Sequence, residues 1–144
     1  MKQTIGLLLF VIAGIMCACN SAQNQSETAQ QTALSDSLPL TSIVFAHTNF
    51  NFGSIADGEV VEHVYTFTNT GEHDLVLRDV KPSCGCTTPD FTRVPVKPGE
   101  QGKITVKFDS KGKPGNQIKT VNVTANTDPE TTVLRFTAQV RENK

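Results

Sequence analysis

The stretch KPSCGCTTPD, Lys81 to Asp90, holds the residues best suited to chemistry. Cys84 and Cys86 flank Gly85, and no other cysteine follows Asn20. Two sulfurs at i and i+2 fit three readings. In extended chain these positions face one side, so both thiols can pack as small apolar groups. A disulfide needs Cα atoms about 4.4–6.8 Å apart, and extended i and i+2 positions lie near the upper edge of that window. Gly85 is free to adopt backbone conformations that bring the two ends together. Such a bond closes a tiny loop, so it suits exchange better than stapling the fold, and nearby lysines would favour the thiolate. Finally, two thiolates on a short turn form a soft chelate suited to Cu(I), whereas structural zinc wants a full tetrahedral ligand set.

The other two cysteines belong to an export signal. Lys2 supplies a positive start, and Ile5–Ala18, IGLLLFVIAGIMCA, is an apolar core of signal-peptide length. The junction Met16–Cys19, MCAC, resembles a bacterial lipobox, in which cleavage precedes a cysteine that takes up lipid. Cys19 fits that role because the small Ala18 precedes it, whereas Met16 precedes Cys17. On this reading residues 1–18 are removed and Cys19 is acylated. The chain is then held in the cell envelope of a Gram-negative-type bacterium, at the outer membrane or facing the periplasm. Several acyl chains give durable anchoring, at about 0.8 kcal/mol per buried methylene. The alternative is cleavage to a soluble periplasmic protein. Either way Cys84 and Cys86 are the sulfur pair of the mature domain, in a compartment where disulfides persist.

Residues 19–40 combine the lipidated cysteine with a polar tether. Asn20–Leu40 is rich in Ser, Gln, Thr and Ala and lacks both aromatics and any apolar period. It cannot bury enough surface to offset its ordering entropy, and as a coil it spans about 25 Å. The formal net charge of −1 leaves no basic face for nucleic acid. No G-x-S-x-G or H-E-x-x-H motif and no prominent carboxylate pair points to a hydrolase. The acidic Asp57, Glu59 and Asp109 fall in turns, where they read as solvated. No enzyme activity is indicated apart from thiol redox chemistry.

From Thr41 to the end the texture is short alternating runs between turn residues. In VVEHVYTFTNTGE, His63, Tyr65 and Phe67 alternate with polar residues; in KITVKFDS, Ile104, Val106 and Phe108 do so. DLVLRDV, FTRVPVKPGEQ, IKTVNVTANT and TTVLRFTAQV continue the pattern. Period-2 runs with frequent turns and no helical pattern predict an all-β, immunoglobulin-like sandwich of about seven antiparallel strands over residues 41–144. The Cys…Trp…Cys signature of antibody domains is absent, since the chain has no Trp.

The ordered set FTNTG, SCGCT and PGE, within about Phe45 to Val140, resembles the bacterial domain of unknown function 1573 family. That resemblance implies an exported Ig-like module, often on lipoproteins, similar in fold to ASH/hydin-like and major-sperm-protein-like domains. It implies no activity.

Alternating strand directions put Cys84–Cys86 at the end where the Val60 strand begins, with Ala56–Glu59 and Ser110–Gly115. The tether then enters at the opposite end, so the CGC end points away from the membrane. His63, Lys81, Lys111 and Lys113 are candidates to sit near the cysteines. His63 reads first as a half-buried residue and second as a ligand or base supporting the pair. His73 lies in a far turn, and His47 has no clear place. The functional expectation is a membrane-tethered interaction or scaffold domain that binds another envelope protein. The alternative is thiol redox or Cu(I) binding through Cys84-Gly85-Cys86. No cofactor beyond the lipid, and that copper, is implied.

Overall fold

The computed structural model describes residues 38–142. The expected export signal, the expected lipobox with Cys19 and the expected tether up to residue 37 lie outside them.

Alternation is what builds the strands. Along β3 (Val60–Asn69) Tyr65 and Phe67 turn inward, while Glu62, Val64 and Thr66 face solvent. Along β6 (Gln101–Asp109), Ile104, Val106 and Phe108 are buried; along β8 (Thr131–Arg141), Leu134, Phe136, Ala138 and Val140 are. Each strand thus offers one apolar face, and two such faces exclude water by stacking. With β1 (Ile43–Phe45), β2 (Asn49–Ala56), β4 (Leu77–Pro82), β5 (Thr87–Phe91) and β7 (Gly115–Ala125), the result is two four-stranded sheets. Their orders are β1-β3-β6-β5 and β2-β8-β7-β4. Among the described residues there is no helix. The core lies between the sheets, with Phe108 against Phe136 and Phe67 against Phe45.

The sandwich is as expected, but three details differ. Among the described residues it has eight strands. One pair, β2–β8, is parallel, with Phe50 opposite Phe136. The cause is a sheet switch: β1 pairs with β3, the chain crosses at Ala46–Thr48 without reversing, and β2 joins the other sheet. A bulge between Asn51 and Ser54 follows, with Gly53 at φ +71°, a conformation most side chains avoid. The third difference is β5, which forms at Thr87–Phe91 rather than in the FTRVPV run. Pro89 is tolerated there because β5 is an edge strand. Of the later run, Thr92 N–H still donates to Lys103 O, and Val96 exchanges backbone hydrogen bonds with Leu75.

Buried amides fix the end of the sandwich where the described chain begins. The Asn126 side chain donates to Pro39 O and Asp74 O and accepts from Val76 N–H. Asn69 donates to His73 O and Val96 O and accepts from the Thr41 hydroxyl and Gly71 N–H. The chain is therefore held to the sandwich from Pro39 onward.

Candidate functional site

The CGC motif forms the turn between β4 and β5. Thr87 N–H donates to Cys84 O at 3.3 Å, closing a four-residue β-turn with Gly85 and Cys86 in its centre. The turn draws the Cα atoms of Cys84 and Cys86 to 5.3 Å, and a disulfide joins them. Free thiols packing side by side thus give way to a bonded pair, although Cys86 still rests on the core. The physical reason is the turn, since the chain is not extended here.

Gly85 has a different role from the one its type suggested. Its φ lies outside the left-handed region, and a Cβ built on it would meet nothing within 4 Å. The sulfurs meet because the turn's flanks are pinned, not because the central residue is glycine. Ser83 N–H donates to Thr120 O, Thr120 N–H to the Ser83 hydroxyl, and Asp109 N–H to Cys86 O.

Three loops converge at this end, as the strand directions predicted. The key is Ser110, fully buried, whose hydroxyl lies 2.8 Å from both Ala56 O and Glu59 O. The acids read as solvated serve as turn caps: Asp57 accepts from Gly112 N–H, Asp109 from Lys111 N–H and Glu59 from Ala56 N–H. Nothing in a single Ser or Asp at a turn announces such a contact from sequence.

Beside the turn lies an open hollow of about 590 Å³, walled by Gly85, Cys86, Lys107, Asp109, Lys111 and Lys113, with Val60 and Thr88 at its margin. Lys111 and Lys113 are where sequence placed them. Lys107 was missed because its strand alternation marked it only as outward-facing; it also pairs with Glu62 at 3.1 Å. Lys81 is exposed on β4 opposite Asn122 and does not line the hollow. Thr87, missed as well, is buried, and its hydroxyl lies 3.5 Å from Cys84 Sγ and 4.0 Å from Cys86 Sγ.

His63 does not join the cysteines. β6 separates its strand from β5, and its ring turns inward toward the sheet switch. There it stacks on Phe50 at 3.5 Å, meets Tyr65 edge-on, and shares a 2.7 Å Nε2–Nε2 hydrogen bond with His47. Burial, and then the charge of His47, hold its pKa below the ordinary 6.5. Burial pushes the Tyr65 hydroxyl up to about 12; it donates to Arg135 O. Among the described residues no group of three or more His, Cys, Asp or Glu side chains could hold a metal. Copper contact by Cys84 and Cys86 would require the pair to be reduced first, since a disulfide has no thiolate to offer.

Two four-stranded sheets packed face to face, with a first segment that switches between them, define an all-β, immunoglobulin-like sandwich domain. The chain belongs to the family described as "Protein of unknown function (DUF1573)", whose family model matches residues 43–140. A protein of unknown function from Porphyromonas gingivalis W83 is similar in structure, with TM-score 0.61 and 17% identity over 76% of this chain and 51% of that one. The chain thus spans about half the length of that relative. The ASH/PapD-like domain 7 of human CEP192 is similar too, with TM-score 0.57 and 16% identity over 74% of this chain and 89% of that one. At these identities the likeness establishes the fold alone. No curated protein matches the sequence.

Proposed function

We propose that this is a lipid-anchored envelope domain that binds a protein partner by strand addition along β3. One observation carries the reading. β1 pairs only with Phe67–Asn69, and Ala46 N–H to Thr66 O is the last rung before the chain leaves for the other sheet. No described strand pairs with that side of β3 from Val60 to Tyr65. Backbone groups alternate sides along a strand, so Glu62 and Val64, in phase with Thr66, point N–H and C=O at the open edge. Val60 and Val64 are 61% and 38% exposed beside it. An edge of unpaired backbone flanked by apolar side chains is what an added strand requires. The charged Glu62 between the valines discourages indiscriminate pairing. The apolar segment Ile5–Ala18 and the MCAC junction at Met16–Cys19 support the lipid anchor.

The test is site-specific photo-crosslinking in intact cells of the source bacterium, with the crosslinker at Val64 and, as control, at Val133, 49% exposed on the other sheet. A discrete adduct from Val64 and none from Val133 is expected. Val64→Pro should abolish partner binding, because it removes an outward N–H while an edge position tolerates the ring. No adduct, or equal adducts from both positions, overturns the proposal.

A further inference from the structure

We infer that the Cys84–Cys86 disulfide is a thiol–disulfide exchange centre, attacked at Cys86 and released at Cys84, with Thr87 as the hydrogen-bond donor to the leaving sulfur. The inference does not depend on the sheet-edge reading.

Three observations converge. The first concerns access: of the two sulfur-bearing residues, Cys86 lines the hollow. The second is charge. Three lysines, Lys107, Lys111 and Lys113, line that hollow with one carboxylate, Asp109, and Lys107 is also paired to Glu62. The excess of lysine favours the approach of an anion, and the attacking species in exchange is the thiolate. The third is the Thr87 hydroxyl. It is buried, and its polar contacts are the two sulfurs, Cys84 being the nearer. A disulfide sulfur is a weak acceptor, whereas a thiolate is a strong one. The donor is therefore matched to the reduced state.

The chemistry balances without any further group. An external thiolate, R–S⁻, attacks Cys86 Sγ; the Cys84–Cys86 bond breaks, a mixed disulfide forms on Cys86, and Cys84 leaves as thiolate against Thr87. A second R–S⁻ attacks the R-side sulfur of the mixed disulfide. It yields R–S–S–R and frees Cys86 as thiolate. Two electrons pass from two thiols to the protein pair, and the thiol protons are exchanged with solvent. The substrate class is a thiol that can enter an open hollow, either a small thiol or a cysteine on an exposed peptide.

The full-length mature protein is treated with millimolar glutathione, or with an unstructured peptide bearing one cysteine, then acid-quenched, alkylated and mapped by mass spectrometry. Reduction under native conditions is expected, with the trapped mixed disulfide on Cys86. If only glutathione reacts, the source is a small thiol; if the peptide reacts faster, it is a protein cysteine. Thr87→Val should slow the step about ten-fold, and Thr87→Ser should restore it. Lys111→Gln with Lys113→Gln should lower the rate and flatten its salt dependence. The double change Cys84→Ser, Cys86→Ser should leave β3-edge crosslinking intact, which separates the two proposals. Reduction that tracks global unfolding in urea, adducts on Cys84 or spread equally, or an unchanged rate in folded Thr87→Val overturns the inference. The adduct position is read on the wild-type chain, so the test survives a variant that fails to fold.

Discussion

Reducing the Cys84–Cys86 bond should cost the domain no more than about 1.6 kcal/mol. The bond joins residues two apart in sequence, and the chain-entropy relation for a ring of that size gives about 1.6 kcal/mol at 25 °C. The true loss should be smaller, because the turn does not depend on the bond for its shape. Ser83 is tied to β7 through Thr120, Cys86 O to β6 through Asp109 N–H, and the turn's own hydrogen bond runs from Thr87 to Cys84. Each persists when the sulfurs part. A disulfide that holds a small exported domain together typically contributes about 2–5 kcal/mol, so the two roles are distinguishable.

The assay is urea unfolding at pH 7, followed by far-ultraviolet circular dichroism, on oxidised protein and on protein held in reductant. Reduction removes no side-chain heavy atom, which avoids the packing loss a Cys86 substitution would add on the core side. The expected outcome is a midpoint lower by about 1 M urea or less with an unchanged slope. A loss above about 3 kcal/mol, or of the cooperative transition, would show that the bond staples the fold. It would also remove the reason for assigning it to exchange.

Other outcomes follow from the same geometry. Gly85→Ala should form the disulfide normally and shift the melting temperature by under a few degrees, as read by mass and thermal unfolding, because its Cβ meets open space. Ser110→Ala should cost about 1 kcal/mol in urea unfolding. One hydroxyl proton is lost, while Ala56 O and Glu59 O keep the backbone donors Glu59 N–H and Ser110 N–H. His63 has a folded pKa below its unfolded 6.5, so the unfolded chain binds more protons in that interval. Stability present above pH 6.5 should then fall as pH drops through 6.5 toward the folded pKa. Melting curves between pH 8 and 5 should show that loss reduced in His63→Phe. Cys19→Ala should release the protein from membranes on fractionation, and unchanged association would refute lipid anchoring there.

How much of this was legible depended on the range of the signal. The sandwich was written in period-2 alternation, a local pattern strong in β3, β6 and β8. The position of the CGC turn followed from strand direction alone, even though β3 and β4 fall in different sheets, because direction survives a sheet change. The parallel β2–β8 pair was not legible, since nothing local distinguishes a chain that turns back from one that crosses over at Ala46–Thr48. His63 shows the same limit. Its inward phase beside Tyr65 was readable, but its partners His47 and Phe50 arrive from the switch segment. Thr87 and Lys107 were passed over for opposite reasons. One looked like any buried strand residue, the other like any exposed one, and only the fold sets each beside the sulfurs.

Val60 belongs to both proposed regions, and that decides how they must be tested. It opens the unpaired stretch of β3 and also borders the lysine hollow. A change at Val60 would disturb strand addition and thiol access together, so a loss of binding there could not be assigned. Val64 lies two pleat repeats further along the edge and does not line the hollow, while Lys111, Lys113 and Thr87 lie off the edge. Substitutions at Val64 and at Thr87 should therefore act independently, each leaving the other's readout unchanged. Coupling between them beyond the few tenths of a kcal/mol typical of separated sites would mean that a bound partner strand reaches the cysteine turn. The partner would then itself be the thiol substrate.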